Sequence, residues 1–163
     1  MAGYGDDAGF TTWLAENGYS LPEGAPTAAV LRQRGSVYLD GLYGLRFVGE
    51  KTGGWEQERA WPRTGAYAGG SAVPDDIVPQ PIIHAAYEAA LQEAREPESL
   101  SLIGSAAERV KRERVEGAVE VEYQAASSSE GLAAQMVPVM TAIEGLIAPF
   151  LRPVGGCPTI LVV

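Results

Sequence analysis

The chain has 163 residues, 46% of them hydrophobic and 20% charged, which suits one domain able to bury roughly two-thirds of its unfolded surface. Its 21 acidic residues outweigh 12 basic ones for a formal charge of −9, the wrong sign for a protein that grips nucleic acid generically, because that affinity comes from Lys and Arg displacing counterions from phosphates. A single cysteine, Cys157, excludes an internal disulfide and a cysteine-based zinc site built from this chain alone.

The first residues, Met1 to Asp7, lack the basic and apolar regions of a signal peptide, and no apolar run approaches the roughly 18 residues that cross a bilayer. The expectation is a protein assembled inside the cell and not embedded in a membrane. With 20 glycines and 11 prolines, its helices should be short and joined by extended connections.

Residues 8 to 17 predict a helix with Phe10, Trp13 and Leu14 on one side, stopped by Gly18 and packed as a lid. After a loop from Leu21 to Pro26, Thr27 is a candidate N-cap for a longer helix running to about Tyr43. Leu31, Gly35, Tyr38, Leu42 and Leu45 form a helical stripe, and Gly35 within it predicts a close helix crossing. From Val48 to Val73 a Gly-rich loop carries Trp55, Trp61 and Tyr67, with Gly69-Gly70 as a flexible tip. A loop of that length in a compact domain suggests binding. Within it, Pro62 removes a backbone donor and pushes Trp61 into extended conformation, so Trp61 can be aimed back at the core as a plug.

Asp75 or Asp76 could cap the next helix, with Pro79 and Pro81 in its first turn, Ile83, Tyr87, Ala90 and Ala94 on its buried face, and Pro97 ending it. Leu100 to Gly104 reads as a short strand or turn. Val110 to Val115, Glu116-Gly117 and Ala118 to Tyr123 read as a β-hairpin, because Val119, Val121 and Tyr123 alternate with glutamates. A polar linker, Ala125 to Gly131, leads to a last helix from about Pro138 to Leu151 whose apolar face is Met136, Met140, Ile143, Ile147 and Phe150.

The fold class expected is mainly α: a small helical bundle with a β-hairpin, residues 1–153, followed by an extended arm, 154–163. The arm residues Thr159, Ile160, Leu161, Val162 and Val163 are β-prone and apolar after a Gly155-Gly156 hinge. The sequence leaves three readings open: docking on a partner by strand addition, pairing with the chain's own hairpin, or a disordered terminus.

No catalytic motif is present. His84, the one histidine, falls within an Ala-rich helix, where a structural imidazole is the plain reading, and a nucleophilic pair with Cys157 would need the arm to reach it. There is no Walker loop, dinucleotide fingerprint or His-Glu-x-x-His, so no cofactor and no metal site is expected. The one basic concentration is Arg109, Lys111, Arg112 and Arg114, readable as a solvated hairpin face, an electrostatic contact with an acidic neighbouring subunit, or a nucleic-acid contact.

Taken in order, Val30-Leu31-Arg32-Gln33-Arg34-Gly35-Ser36-Val37-Tyr38-Leu39-Asp40, Arg59-Ala60-Trp61-Pro62-Arg63-Thr64-Gly65, Val78-Pro79 with Ala85-Ala86-Tyr87-Glu88-Ala89-Ala90, and Val110-Lys111-Arg112-Glu113-Arg114-Val115 resemble a known family. They are similar to the small neck proteins of long-tailed bacteriophages, the head-tail adaptors or connectors, and among them to a group that also carries the label DnaT-like single-stranded-DNA-binding protein. The matching segments run from about residue 28 to residue 151.

The resemblance implies a non-enzymatic virion protein, assembled in the host cytoplasm, that forms a homo-oligomeric ring of about twelve copies closed by head-to-tail contacts. Its partners would be the portal protein and a tail-side neck or terminator protein, with DNA passing through the channel without specific binding. In that setting the arm would dock on the portal or a neighbouring subunit, Trp55, Trp61, Arg63 and Tyr67 would make loop contacts, and an acidic lining would let DNA slide. The label implies a rival, a single-stranded-DNA-binding protein of phage replication.

Overall fold

A computed structural model of the chain describes residues 2–100 and 141–153. The described part is a small, mainly α domain carrying two short antiparallel hairpins. Helix α1, Asp7–Glu16, is opened by Asp6, whose Oδ1 accepts from the Gly9 amide at 2.8 Å, and it buries Phe10, Trp13 and Leu14 as their spacing predicts.

Helices α2, Ala28–Tyr43, and α3, Gln80–Arg95, form the body of the fold. Gly35 lets their backbones meet: a Cβ there would stand 2.3 Å from the Ala86 carbonyl oxygen and 2.8 Å from the Ala90 nitrogen. Ala85, Ala86, Ala89, Ala90 and Ala94 are all buried, so α3 approaches with little side-chain bulk. Thr27 stands at the N-cap position of α2 without a side-chain cap bond.

Three expectations need correction. The α2 stripe does not reach Leu45, which is 95% exposed, because the helix stops at Tyr43 and the turn closed by Arg46 N to Tyr43 O rotates Leu45 outward. Leu39, Tyr43 and Phe47 continue the buried line instead. Neither Asp75 nor Asp76 caps α3. The helix begins at Gln80 with Pro79 at the cap position, where the fixed φ of proline starts it without a side-chain cap. Asp75 instead accepts from Thr64 Oγ1 at 2.9 Å and, through its carbonyl, from Thr52 Oγ1 at 2.8 Å.

The segment 48–73 is also not one irregular loop. Strand β1, Glu50–Lys51, pairs with β2, Arg63–Thr64, and β3, Tyr67–Ala68, pairs with β4, Ser71–Ala72. Gly69 and Gly70 turn the second hairpin with φ of +57° and +81°, which a two-residue hairpin turn of this hand requires. A 3₁₀ turn, Gly54–Glu56, lies between β1 and β2.

Near the far end, residues 141–147 are helical and Ala148–Phe150 tighten into a 3₁₀ turn at Pro149, so the regular helix stops short of Leu151. Ile143, Ile147 and Phe150 are buried, as expected. Leu151 bridges Phe47, flanked by Val48 N to Phe150 O at 2.9 Å and Arg152 N to Arg46 O at 2.7 Å.

Two apolar clusters result. One gathers Tyr43, Phe47, Trp61, Ile82, Ile147 and Phe150, and the other gathers Phe10, Trp13, Leu31, Tyr87 and Leu91 beneath α1. The hairpin expected at 110–123, the 125–131 linker, Met136, Met140 and the arm 154–163 lie outside the described residues.

Candidate interaction surfaces

The sequence places two tryptophans in one loop, and the fold gives them opposite fates. Trp61 is 1% exposed and meets the rings of Phe47 and Phe150 edge-on, each centroid 5.7 Å away. Its amide donates to Tyr4 Oη at 3.2 Å, and the Trp61–Pro62 peptide is cis. Trp55, in the 3₁₀ turn, is 89% exposed, and Tyr67 on β3 is 62% exposed, with its hydroxyl donating to the Gly70 carbonyl at 2.6 Å.

Arg63 is buried and faces four backbone carbonyls. Its Nε donates to Val48 O at 2.7 Å, Nη1 to Ala60 O at 3.0 Å, and Nη2 to Gly49 O at 2.7 Å and Phe47 O at 3.4 Å. The guanidinium thereby ties both ends of the first hairpin to the core. Burial lowers its pKa from the usual arginine value, and nearby Arg152 adds to the effect. Of the four loop residues expected to make contacts, Trp61 and Arg63 are thus used inside the molecule, and Trp55 and Tyr67 face out.

Other cations are likewise engaged internally. Arg32 donates through Nε and Nη2 to Asp7 Oδ1 at 2.9 and 2.7 Å, and through Nη1 to the carbonyls of Gly3, Tyr4 and Gly5. Arg34 pairs with buried Glu93 at 2.9 Å. Asp40 accepts from the Tyr4 hydroxyl and from Arg59 Nη1 at 3.4 Å; burial nevertheless pushes its carboxyl up, and burial together with Asp40 pushes the Tyr4 phenol up. The described residues carry 8 basic and 15 acidic side chains, and four of the eight, Arg32, Arg34, Arg59 and Arg63, are held by these partners. Sequence reasoning missed Arg32, although Arg32, Ser36, Leu39 and Tyr43 follow spacings of four, three and four, a second buried line beside the one it used.

Two grooves mark the surface. One, about 810 Å³, lies over α2 and the end of α3, with Val30, Val37 and Leu100 beside the Arg34–Glu93 pair and the buried hydroxyl of Tyr38, which has no partner among the described residues. The other, about 420 Å³, lies between the second hairpin and the start of α3 and is almost wholly apolar. His84 is half-buried beside the rings of Trp13 and Tyr87, with centroids 6.5 and 6.3 Å away.

Among the described residues no group of three or more His, Cys, Asp or Glu could hold a metal ion, and no helix is long and apolar enough to cross a membrane. Arg109, Lys111, Arg112 and Arg114, Cys157, and Thr159, Ile160, Leu161, Val162 and Val163 lie outside the described residues. A family model described as "Putative DnaT-like ssDNA binding protein" matches residues 3–162, and the chain belongs to that family. No curated protein and no solved structure gives a significant match.

Proposed function

We propose that this chain is a structural assembly protein of a tailed bacteriophage, a head-tail adaptor whose ring joins the portal to the tail and forms part of the DNA channel. What supports this reading is the use of charge: the described surface is dominated by carboxylates, and six of its eight cations, Lys51 and Arg152 included, donate to internal carboxylates and carbonyls. Such a surface offers no continuous positive track for a phosphate backbone, whereas a channel wall must let DNA pass without holding it. Exposed Leu45, Trp55, Tyr67 and Ile77 instead supply apolar anchors for protein contacts. The neighbours would be further copies of the chain, the portal protein and a tail-side neck protein, with charge pairs such as those available to Arg109, Lys111, Arg112 and Arg114 setting register. No catalytic step is part of this role.

A second reading, single-stranded-DNA binding in phage replication, is favoured by the description of the family. Trp55 and Tyr67 would then stack bases, and the basic run at 109–114 would meet phosphates. Fluorescence anisotropy of a labelled oligothymidylate separates the two. The adaptor role predicts no appreciable binding even near about 50 mM salt. Tight binding that weakens steeply with salt and is lost in the triple variant Lys111→Gln, Arg112→Gln, Arg114→Gln would replace the adaptor role with the second.

A further inference from the structure

Residues 2–5, ahead of α1, are held the way a bound peptide is held. They make no backbone-to-backbone hydrogen bond with the described residues, and side chains take their carbonyls instead. Arg59 Nε donates to the Ala2 carbonyl at 3.1 Å, and Arg32 Nη1 lies 3.2, 3.1 and 2.7 Å from the carbonyls of Gly3, Tyr4 and Gly5. Two arginines thus hold four consecutive carbonyls through charge-assisted bonds. The Tyr4 amide donates to Ser36 Oγ at 2.8 Å, while its hydroxyl donates to Asp40 and accepts from the Trp61 amide at 3.2 Å. The two flanking glycines are selected by shape. A Cβ at Gly3 would stand 2.6 Å from the backbone of Arg32 in α2. Gly5 has a φ of +66°, and its Cβ would meet Tyr87 Oη at 2.0 Å.

We infer that Arg32, Ser36, Asp40, Arg59 and the Trp61 amide form a peptide-recognition site selective for a tyrosine between two glycines, that the chain fills it with its own residues 2–5, and that this strap releases without unfolding the helices. The site depends on neither of the roles considered above, since every contact that defines it lies within the described residues.

Release is local because the helices meet without the strap. α2 and α3 cross through Gly35 and the buried alanines of α3, and α1 is anchored by its own Phe10, Trp13 and Leu14. The strap contributes one buried side chain, Tyr4, to the apolar core. Arg32 also pairs with Asp7, and Asp40 with Arg59, so neither charge loses its last partner when the strap departs. Openings of this kind, confined to a segment with few apolar contacts, occur well below the cost of global unfolding. While the strap is docked, an identical peptide supplied from outside competes with a tethered one, and its apparent affinity falls by the fraction of molecules that are open.

Chemical rescue in the full-length chain tests the site. Gly3→Ala sets a Cβ against the backbone of α2, and Tyr4→Ala removes the ring; both change the strap and leave the site intact. The probe is the capped tetrapeptide acetyl-Ala-Gly-Tyr-Gly-amide, titrated into isotopically labelled protein while the nuclear magnetic resonance shift of the Trp61 amide is followed. In each variant that shift should leave its unmodified position and return toward it as the peptide saturates. Binding to the unmodified chain should be at least about tenfold weaker. The same peptide with alanine in place of its tyrosine should rescue neither variant. Absence of rescue in both variants, rescue by the alanine peptide, or equal binding to the unmodified chain would overturn the recognition site. Native-state hydrogen exchange of the unmodified chain tests release separately. The Tyr4 amide should exchange at least about tenfold faster than amides in the middle of α2 and α3. Exchange of all of them at one rate, or loss of helical circular dichroism in both variants, would show that the strap is inseparable from the fold and overturn its release.

Discussion

Replacing Gly35 with alanine tests whether α2 and α3 meet through their backbones. Two effects oppose each other. Alanine in place of glycine within a helix is favourable by about 1 kcal/mol, because less conformational freedom is lost on folding. Against this, the new Cβ would lie 2.3 Å from Ala86 O and 2.8 Å from Ala90 N, where ordinary contact begins at 3.4 Å. Both obstacles are backbone, so no side chain can swing aside, and the helices must separate by about 1 Å at the crossing. Overpacking of this kind costs about 1–3 kcal/mol, and two clashing backbone atoms put this site at the upper end. The net expectation is a destabilisation of about 2 kcal/mol.

Gly41, in the same helix, has no described residue within 4 Å of the point where a Cβ would stand, so Gly41→Ala should stabilise by about 0.5–1 kcal/mol. Urea unfolding followed by far-ultraviolet circular dichroism compares the two. Opposite shifts of the midpoint are expected, and equal shifts would refute the close crossing.

Trp61→Ala should cost about 3–5 kcal/mol in urea unfolding. Trp61→Phe should cost less than half as much, since the indole N–H is buried without a partner among the described residues. Arg63→Met leaves the Val48, Gly49 and Ala60 carbonyls without their donor, at about 1–3 kcal/mol for each that stays buried, and should speed thermolysin cleavage of the first hairpin. Arg63→Lys should not rescue it, because one ammonium cannot span acceptors arranged around a planar fork. Asp40 sets a pH dependence. Its folded pKa is raised by burial, so above the unfolded value of about 3.9 the folded chain still holds a proton that the unfolded chain has released. Stability therefore falls as pH rises from there through the raised folded value. Asp40→Asn should flatten that slope, leaving a residual contribution of the same sign from Glu88, which burial also raises.

The helices were legible because their apolar residues recur at helical spacing: Phe10, Trp13 and Leu14 on α1, and Leu31, Gly35 and Tyr38 on α2, all become buried. Trp61 was legible as a plug because Pro62 follows it, while Trp55, preceded by Gly53-Gly54, carried no such constraint. The two hairpins were not legible, since strands of two residues are too short to show an alternating period. Arg63 was read as a contact residue because its partners are backbone carbonyls, which every sequence supplies and no pattern of side chains announces. The α2 stripe overruns to Leu45 because the spacing continues past the point where the helix stops.

Quantitative mass spectrometry of purified phage particles, counting this chain against the major capsid protein, tests the proposed adaptor role most directly. The proposed ring at the neck predicts a fixed copy number per particle, about twelve if it matches the ring that the resemblance implies. Absence of the chain from intact particles would contradict the adaptor role.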